Sequence, residues 1–136
     1  MKSYFVDACL EKRIKRDFPD FEIKVDKNLH IEEKAINQFL AEKKTIFVRY
    51  KKDLIYIPAA KWIPYFVINN EKQKNKYLAL IEITKITIKR FNQLNLEDAI
   101  KDGLHNKEEL IKVIESRYGK MEDKELISLY HLKKII

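Results

Sequence analysis

Residues 93–119, QLNLEDAIKDGLHNKEELIKVIESRYG, carry the clearest folding signals of the chain. Asn95 can cap a first helix over about residues 96–102, because its side chain can accept a hydrogen bond from a free backbone N–H group. The first turn of that helix is acidic, which suits the positive end of the helix dipole. Gly103 follows the helix, where a left-handed C-cap favours glycine. The stretch therefore predicts a short helix that ends in a sharp turn.

A second helix is predicted directly after this turn. Asn106 and Glu109 have the spacing of a capping box, and Gly119 can end the helix. Its predicted core-facing stripe consists of four residues: Leu110, Val113, Ile114 and Tyr118. The chain has only two glycines, and both are used as helix ends, so no glycine is left for a phosphate-binding loop.

Composition limits the class of protein. The 136 residues indicate a single domain. The one cysteine excludes an internal disulfide and a cysteine zinc cluster, which fits a reducing compartment, so we predict a cytoplasmic protein. No apolar run is long enough to span a membrane, and we expect no membrane partner. The net charge of +7 favours a polyanionic partner such as nucleic acid. A lysine-rich protein that is merely soluble is the alternative.

Residues 45–50 predict a strand with two distinct faces. Ile46 and Val48 alternate with polar or bulky neighbours and would point toward the core. Phe47 and Arg49 would share the opposite face, because side chains alternate along a strand.

The other patterns predict a mixed fold. We expect a helix at 31–40, strands at 53–57, 62–69, 77–90 and 126–132, and an edge position for the strand that contains Pro64. The apolar phase of 77–90 changes near residues 84–85, which predicts a β-bulge or a sharp bend. The fold class is therefore α+β, with a small, curled, barrel-like, mostly antiparallel sheet and flanking helices.

The motifs resemble those of a known family. Residues 82–119, EITKITIKRFNQLNLEDAIKDGLHNKEELIKVIESRYG, are similar to the C-terminal half of an ASCH domain, a branch of the PUA-like superfamily. The family motif G-x-K-x-x-E-x-R corresponds to residues 42–49, EKKTIFVR. Lys44 and Arg49 match it, whereas Glu42 stands for the glycine and Phe47 for the glutamate. The resemblance covers about residues 31–132 of a single 1–136 domain, and residues 1–30 look like an N-terminal addition.

The resemblance implies a β-barrel with a cleft lined by the motif residues. Related domains bind RNA, and some members hydrolyse acylated cytidine nucleosides or cut RNA. In hydrolase-like members the working residues are a lysine, a threonine and a glutamate. The corresponding residues here are Lys44, Phe47 and Asp102, so the hydroxyl nucleophile is missing unless Thr45 substitutes.

The leading functional prediction is binding of RNA or single-stranded nucleic acid in a basic cleft. Lys44 and Arg49 would hold phosphates or a base edge. Phe47 would stack a base if it faces the cleft, and would otherwise pack in the core. The predicted RNA-binding residues are Lys43, Lys44, Phe47, Arg49, Tyr50, Lys51, Lys52, Lys89 and Arg90.

Two alternatives remain open. The first is a metal-independent nuclease or nucleoside amidohydrolase, in which Lys44 and Asp102 act as the acid–base pair. The second is a protein-interaction module with an incidental basic surface. The three histidines lack metal-ligand spacing, so we predict neither a metal nor another cofactor. Oligomeric state cannot be inferred from these patterns.

Overall fold

The computed structural model describes residues 24–31, 35–55, 65–69 and 73–135, together with four isolated positions nearer the N-terminus. Its strands are β1 (Lys24–Ile31), β2 (Ile46–Arg49), β3 (Tyr65–Asn69), β4 (Gln73–Arg90) and β5 (Leu126–Lys134). Its α-helices are α1 (Ile36–Leu40), α2 (Leu96–Lys101) and α3 (Lys107–Tyr118), and 3-10 turns occupy Lys51–Asp53 and Phe91–Gln93. The predicted helix at 31–40 is therefore shorter, because Ile31 belongs to β1, and Asp53 lies in a turn instead of a strand.

Contacts divide the chain into two compact units. The first contains β1, β3 and residues 73–82 of β4. In it β3 pairs in parallel with β1 and antiparallel with β4, so β3 is an inner strand. The prediction of an edge strand was wrong, because the strand begins at Tyr65, after the proline in sequence. Leu29, Ala79 and Leu80 have no exposed surface and lie in the core of this unit.

The second unit contains residues 37–54 and 83–132. Its strands lie in the order β4, β5, β2, and β2 pairs antiparallel with β5. Ile46 and Val48 belong to one apolar cluster with residues of α2, α3 and β5. The mixed α/β class and the mostly antiparallel pairing are confirmed. Within the described residues neither set of strands closes on itself, so the barrel implied by the resemblance is not shown.

The C-terminal part of β4, residues 83–90, exposes two of its isoleucines to solvent. Ile86 and Ile88 are 42% and 62% exposed. Thr87 and Lys89, which alternate with them, contact His131 and Asp98 instead. The pairing of β4 with β3 extends from Gln73 to Ile81, with irregularities opposite residues 67–69, and does not include residues 84–85. Ile86 and Ile88 therefore lie on an exposed face of the strand, and the bulge or bend near residues 84–85 stays a prediction.

The turn between α2 and α3 follows the predicted chemistry. The Asn95 side chain accepts a hydrogen bond from Asp98 N, and the Asp98 carboxylate accepts one from Asn95 N. Gly103 has a φ angle of 84°. Its N–H donates to the carbonyl of Ile100, and the next N–H donates to the carbonyl of Ala99. These two bonds define a Schellman motif, which satisfies the last helical carbonyls and requires a left-handed residue.

Helix α3 begins at the predicted cap but buries a narrower stripe. Asn106 accepts a hydrogen bond from Glu109 N, whereas the Glu109 carboxylate accepts from His105 N and not from Asn106 N. Leu110 and Ile114 are buried, but Val113 is 41% exposed. The prediction that Val113 faces the core was therefore wrong.

Glu42 occupies a position that suits glycine. It follows α1 with a φ angle of 61°. Its N–H donates to the carbonyl of Phe39, and Lys43 N donates to the carbonyl of Gln38, so α1 also ends in a Schellman motif. The glycine of the family motif stands at this position, and a non-glycine residue there is strained.

We expect Glu42→Gly to raise the free energy of unfolding by about 0.5–1 kcal/mol, because removing Cβ relieves the left-handed conformation and outweighs the added entropy of the unfolded chain. Urea denaturation measures this change. Glu42→Ala is the matched control, since it removes the same charge but keeps Cβ. An equal gain in both variants would assign the effect to the charge.

Candidate functional site

Lys44 and Asp102 form an ion pair in the second unit, although 58 positions separate them in the chain. The pair is positioned by backbone contacts: Lys44 and Asp102 form an isolated β-bridge, and Thr45 N donates to the carbonyl of Lys101 at 2.7 Å. Lys44 Nζ also donates to the carbonyl of Ile46 at 3.0 Å. The two side chains are 11% and 7% exposed, so the pair is nearly buried.

The Phe47 ring lies between two cations and has no exposed surface. Lys44 Nζ is 5.3 Å and Arg49 Cζ is 4.8 Å from its centroid, within the range of cation–π attraction. The ring of Phe39 lies 6.0 Å away, centroid to centroid. Phe47 and Arg49 share one face, as strand alternation predicted, and that face is covered. The geometry therefore matches the core-packing alternative for Phe47 and not a ring that is open for stacking.

Arg49 is a buried cation, 4% exposed. Its Nη1 donates to the carbonyl of Val48 at 2.9 Å. Burial, together with the nearby charge of Arg117, lowers the pKa of Arg49 to about 10, and Asp102 and Asp53 partly oppose this shift. This pKa is still far above neutral pH, so the guanidinium keeps its charge inside the protein.

The end of α3 brings a second arginine to this region. Nε and Nη2 of Arg117 both lie 3.2 Å from Oδ2 of Asp53. The Tyr118 ring packs edge-on against the Tyr50 ring, with centroids 5.5 Å apart. The Tyr118 hydroxyl is buried and makes no hydrogen bond of good geometry within the described residues. Burial raises the pKa of Tyr118, and the nearby Asp53 carboxylate raises it as well, so the hydroxyl stays protonated at neutral pH.

Arg117 was not among the predicted site residues. Arg117 lies in the last turn of α3, and no neighbouring residue in the sequence indicates that this turn packs beside the end of β2. The available signal was its position next to Tyr118, the tyrosine that ends the helix in the family pattern. A cation in the last helical turn also interacts favourably with the helix dipole, which gives it an ordinary structural explanation.

Two further predicted cations, Lys51 and Arg90, belong to segments that contact Tyr50 and Glu125. The Tyr50 hydroxyl donates to Glu125 Oε2 at 2.8 Å, and Phe91 N donates to the Glu125 carbonyl at 2.7 Å. Lys51 Nζ lies 5.1 Å from the Tyr50 ring centroid. Lys51 is exposed, and so is Arg90, which directly precedes Phe91. Tyr50 itself is only 9% exposed.

The remaining predicted residues occupy different environments. Lys43 is exposed. Lys89 Nζ lies 2.8 and 3.1 Å from the two carboxylate oxygens of Asp98, so its charge is already paired. The side chain of Lys52 lies outside the described residues. In the described part of the chain, no helix combines the length and the apolar character that crossing a membrane requires.

Comparisons with known proteins agree on the fold. No family model and no curated protein matches the chain. A solved structure of an ASCH domain from Lactobacillus crispatus is similar, with a TM-score of 0.62 and 15% identity over 90% of this chain and 84% of that one. A DUF984 protein from Enterococcus faecalis is similar as well, with a TM-score of 0.59 and 14% identity over 93% and 85% of the two chains. The chain therefore has an ASCH-like fold, and the resemblance in the motifs is confirmed at that level.

Proposed function

We propose that this ASCH-like protein binds RNA through a basic surface formed by Lys51, Arg90 and Arg117 around Tyr50. The observation that carries the proposal is that Lys51 and Arg117, from separate segments of the chain, lie over two tyrosine rings that pack against each other. Lys51 lies against the Tyr50 ring, and the ring of Tyr118, next to Arg117, packs edge-on against Tyr50. Arg90 precedes Phe91, whose N–H donates to the carbonyl of Glu125, the residue that accepts from the Tyr50 hydroxyl.

Lys51 and Arg90 are exposed and Arg117 is partly exposed, and such cations on a chain of net charge +7 suit phosphate contacts. Each neutralised phosphate releases condensed counterions, which supplies affinity without requiring a particular base sequence. Arg90 and Arg117 can bind a phosphate with two parallel hydrogen bonds, whereas Lys51 acts as a point charge. RNA, and not double-stranded DNA, is the partner that related domains of this fold class suggest.

The Lys44–Asp102 pair and the Phe47–Arg49 contact have a supporting role in this proposal. Lys44 and Arg49 expose too little surface to contact an RNA strand. They hold β2, and therefore the turn that follows it, in place. The proposed RNA contacts thus move from the buried motif residues to the exposed cations beside them.

We expect the double variant Lys51→Gln, Arg90→Gln to weaken binding of a single-stranded RNA by about tenfold, because two phosphate contacts are lost. Fluorescence anisotropy at one salt concentration measures the affinity. The control Lys112→Gln, Lys133→Gln removes the same charge from two other exposed lysines. Equal losses in both double variants would show that only the net charge matters, and no loss in either would contradict the proposal.

One observation favours a second candidate function. Lys44 and Asp102, which correspond to two working residues of hydrolase-like ASCH members, are in direct contact. A metal-independent hydrolase acting on RNA or acylated cytidine would need this pair for proton transfer. The buried Phe47 stands where such members have threonine, so the nucleophile would have to come from water or from Thr45.

A further inference from the structure

Asp53 lies among groups that favour an anion. Its Oδ2 accepts from two nitrogens of Arg117. The charge of Asp53 also acts on the buried guanidinium of Arg49 and on the Tyr118 hydroxyl. The Asp53 carboxylate therefore contacts one guanidinium group directly and interacts electrostatically with a second one and with a hydroxyl that makes no hydrogen bond of good geometry among the described residues.

The segment that presents Asp53 is short and strained. Asp53 is the last residue of the 3-10 turn Lys51–Asp53. Lys51 opens this turn with a φ angle of 46°, a left-handed conformation that is uncommon for a residue other than glycine. The turn has two backbone hydrogen bonds, Asp53 N to Tyr50 O at 3.2 Å and Leu54 N to Lys51 O at 3.1 Å. Such a turn can rearrange at little cost.

We propose that the Asp53 carboxylate is an internal occupant of a phosphate site, and that the terminal phosphate of an RNA chain replaces it. This inference rests on the proposed RNA binding and names the chemical group that the same surface recognises. The phosphate would accept hydrogen bonds from Arg117 and from the Tyr118 hydroxyl, with the charge of Arg49 behind them. Displaced Asp53 would turn toward solvent together with its strained turn.

A phosphate monoester fits this site better than a carboxylate does. Oδ2 of the Asp53 carboxylate lies 3.2 Å from both Nε and Nη2 of Arg117, and a carboxylate has only two oxygens to offer. A phosphate offers three terminal oxygens and about two negative charges, so it can satisfy the guanidinium and the tyrosine hydroxyl together. Leaving a buried hydroxyl without a partner is unfavourable, and a new acceptor removes that penalty.

The burial of the donors indicates a chain end. Arg49 is almost fully buried, and the Tyr118 hydroxyl is buried as well. A phosphate within a strand carries a sugar on each side, and both would have to pass the covering side chains. A terminal phosphate has one substituent and can enter with its free oxygens first.

The test compares the affinity of the protein for one single-stranded RNA in three forms: with a 5′-phosphate, with a 3′-phosphate and with neither. We expect Asp53→Asn to tighten binding of one phosphorylated form by about tenfold, a factor that corresponds to about 1.4 kcal/mol. Binding of the unphosphorylated RNA should change by no more than about twofold. Glu108→Gln removes the same charge at the other end of α3, where the side chain is exposed, and should give no such preference.

Further variants connect the gain to the named groups. Adding Arg117→Gln to Asp53→Asn should abolish the preference for the phosphorylated form. Tyr118→Phe keeps the ring that packs on Tyr50 and should lower the preference in the otherwise unchanged protein. Inorganic phosphate should compete with the phosphorylated RNA, and competition without any RNA preference would mean that the site takes free phosphate only, which overturns the chain-end assignment.

The outcomes separate this inference from the proposed function. Failure of every form of the protein to bind any of the three RNAs would contradict RNA binding itself. Binding that Asp53→Asn tightens equally for all three RNAs would leave RNA binding intact and overturn the phosphate site. If Asp53→Asn does not fold, the unaltered protein decides: equal affinity for all three RNAs, in it and in Tyr118→Phe, overturns the inference.

Discussion

Replacing Phe47 with alanine should lower the free energy of unfolding by about 3–5 kcal/mol, because the ring is fully buried and its removal leaves a cavity. The change also removes the cation–π contacts of Lys44 and Arg49. Urea denaturation followed by circular dichroism measures the loss. Ile100→Ala is a suitable control, since Ile100 is 54% exposed and alanine is a good helix former.

The same variant separates packing from base stacking. Folded Phe47→Ala protein, assayed well below its denaturation midpoint, should bind single-stranded RNA within about twofold of the original protein, because the ring has no exposed face. Stacking would instead be worth roughly 1–3 kcal/mol of binding. A tenfold loss of RNA affinity with unchanged stability would therefore show that the ring meets a base, and that our account of β2 is wrong.

Replacing Lys44 with methionine should cost roughly 3–5 kcal/mol of stability, because it leaves the carboxylate of Asp102 nearly buried and without its cation. Methionine keeps most of the side-chain volume, so the loss of stability measures the effect of removing the positive charge. Asp102→Asn should cost less, since the amide can still accept a hydrogen bond from Lys44. Urea denaturation of both single variants gives the two values.

The double variant Lys44→Met, Asp102→Leu identifies the role of the pair. If the pair is structural, the double variant should be more stable than Lys44→Met alone, because no unpaired charge remains. Each protein is also incubated with RNA and with acylated cytidine, with no metal added. Turnover that is present in the unaltered protein and absent from a folded Asp102→Asn variant would favour the hydrolase over the proposed function.

Local chemistry made the helical region predictable. Asn95 and Gly103 act through neighbours within a few residues, so their roles can be read without knowing the rest of the fold. The residues that share a face of β2 could also be predicted, because side chains alternate along any strand. The contact between Lys44 and Asp102 is different, because 58 positions separate the two residues and only the family resemblance suggested that they meet.

Side-chain alternation along a strand predicts which residues share a face, but it does not predict whether another part of the protein covers that face. Phe47 and Arg49 share the predicted face of β2, but the ring of Phe39 and other contacts cover it. Ile88 shows the converse case, since an apolar residue on a strand remains exposed where nothing packs on it. Arg117 was missed because its partner Asp53 lies 64 positions away.

The salt dependence of RNA binding tests the central claim most directly. The logarithm of the binding constant should fall linearly with the logarithm of the salt concentration. In the Lys51→Gln, Arg90→Gln variant the slope should be shallower by roughly 1.4, since each phosphate contact on a single strand contributes about 0.7. A flat salt dependence in the unaltered protein, or an identical slope in the variant, would contradict the basic surface as the RNA-binding site.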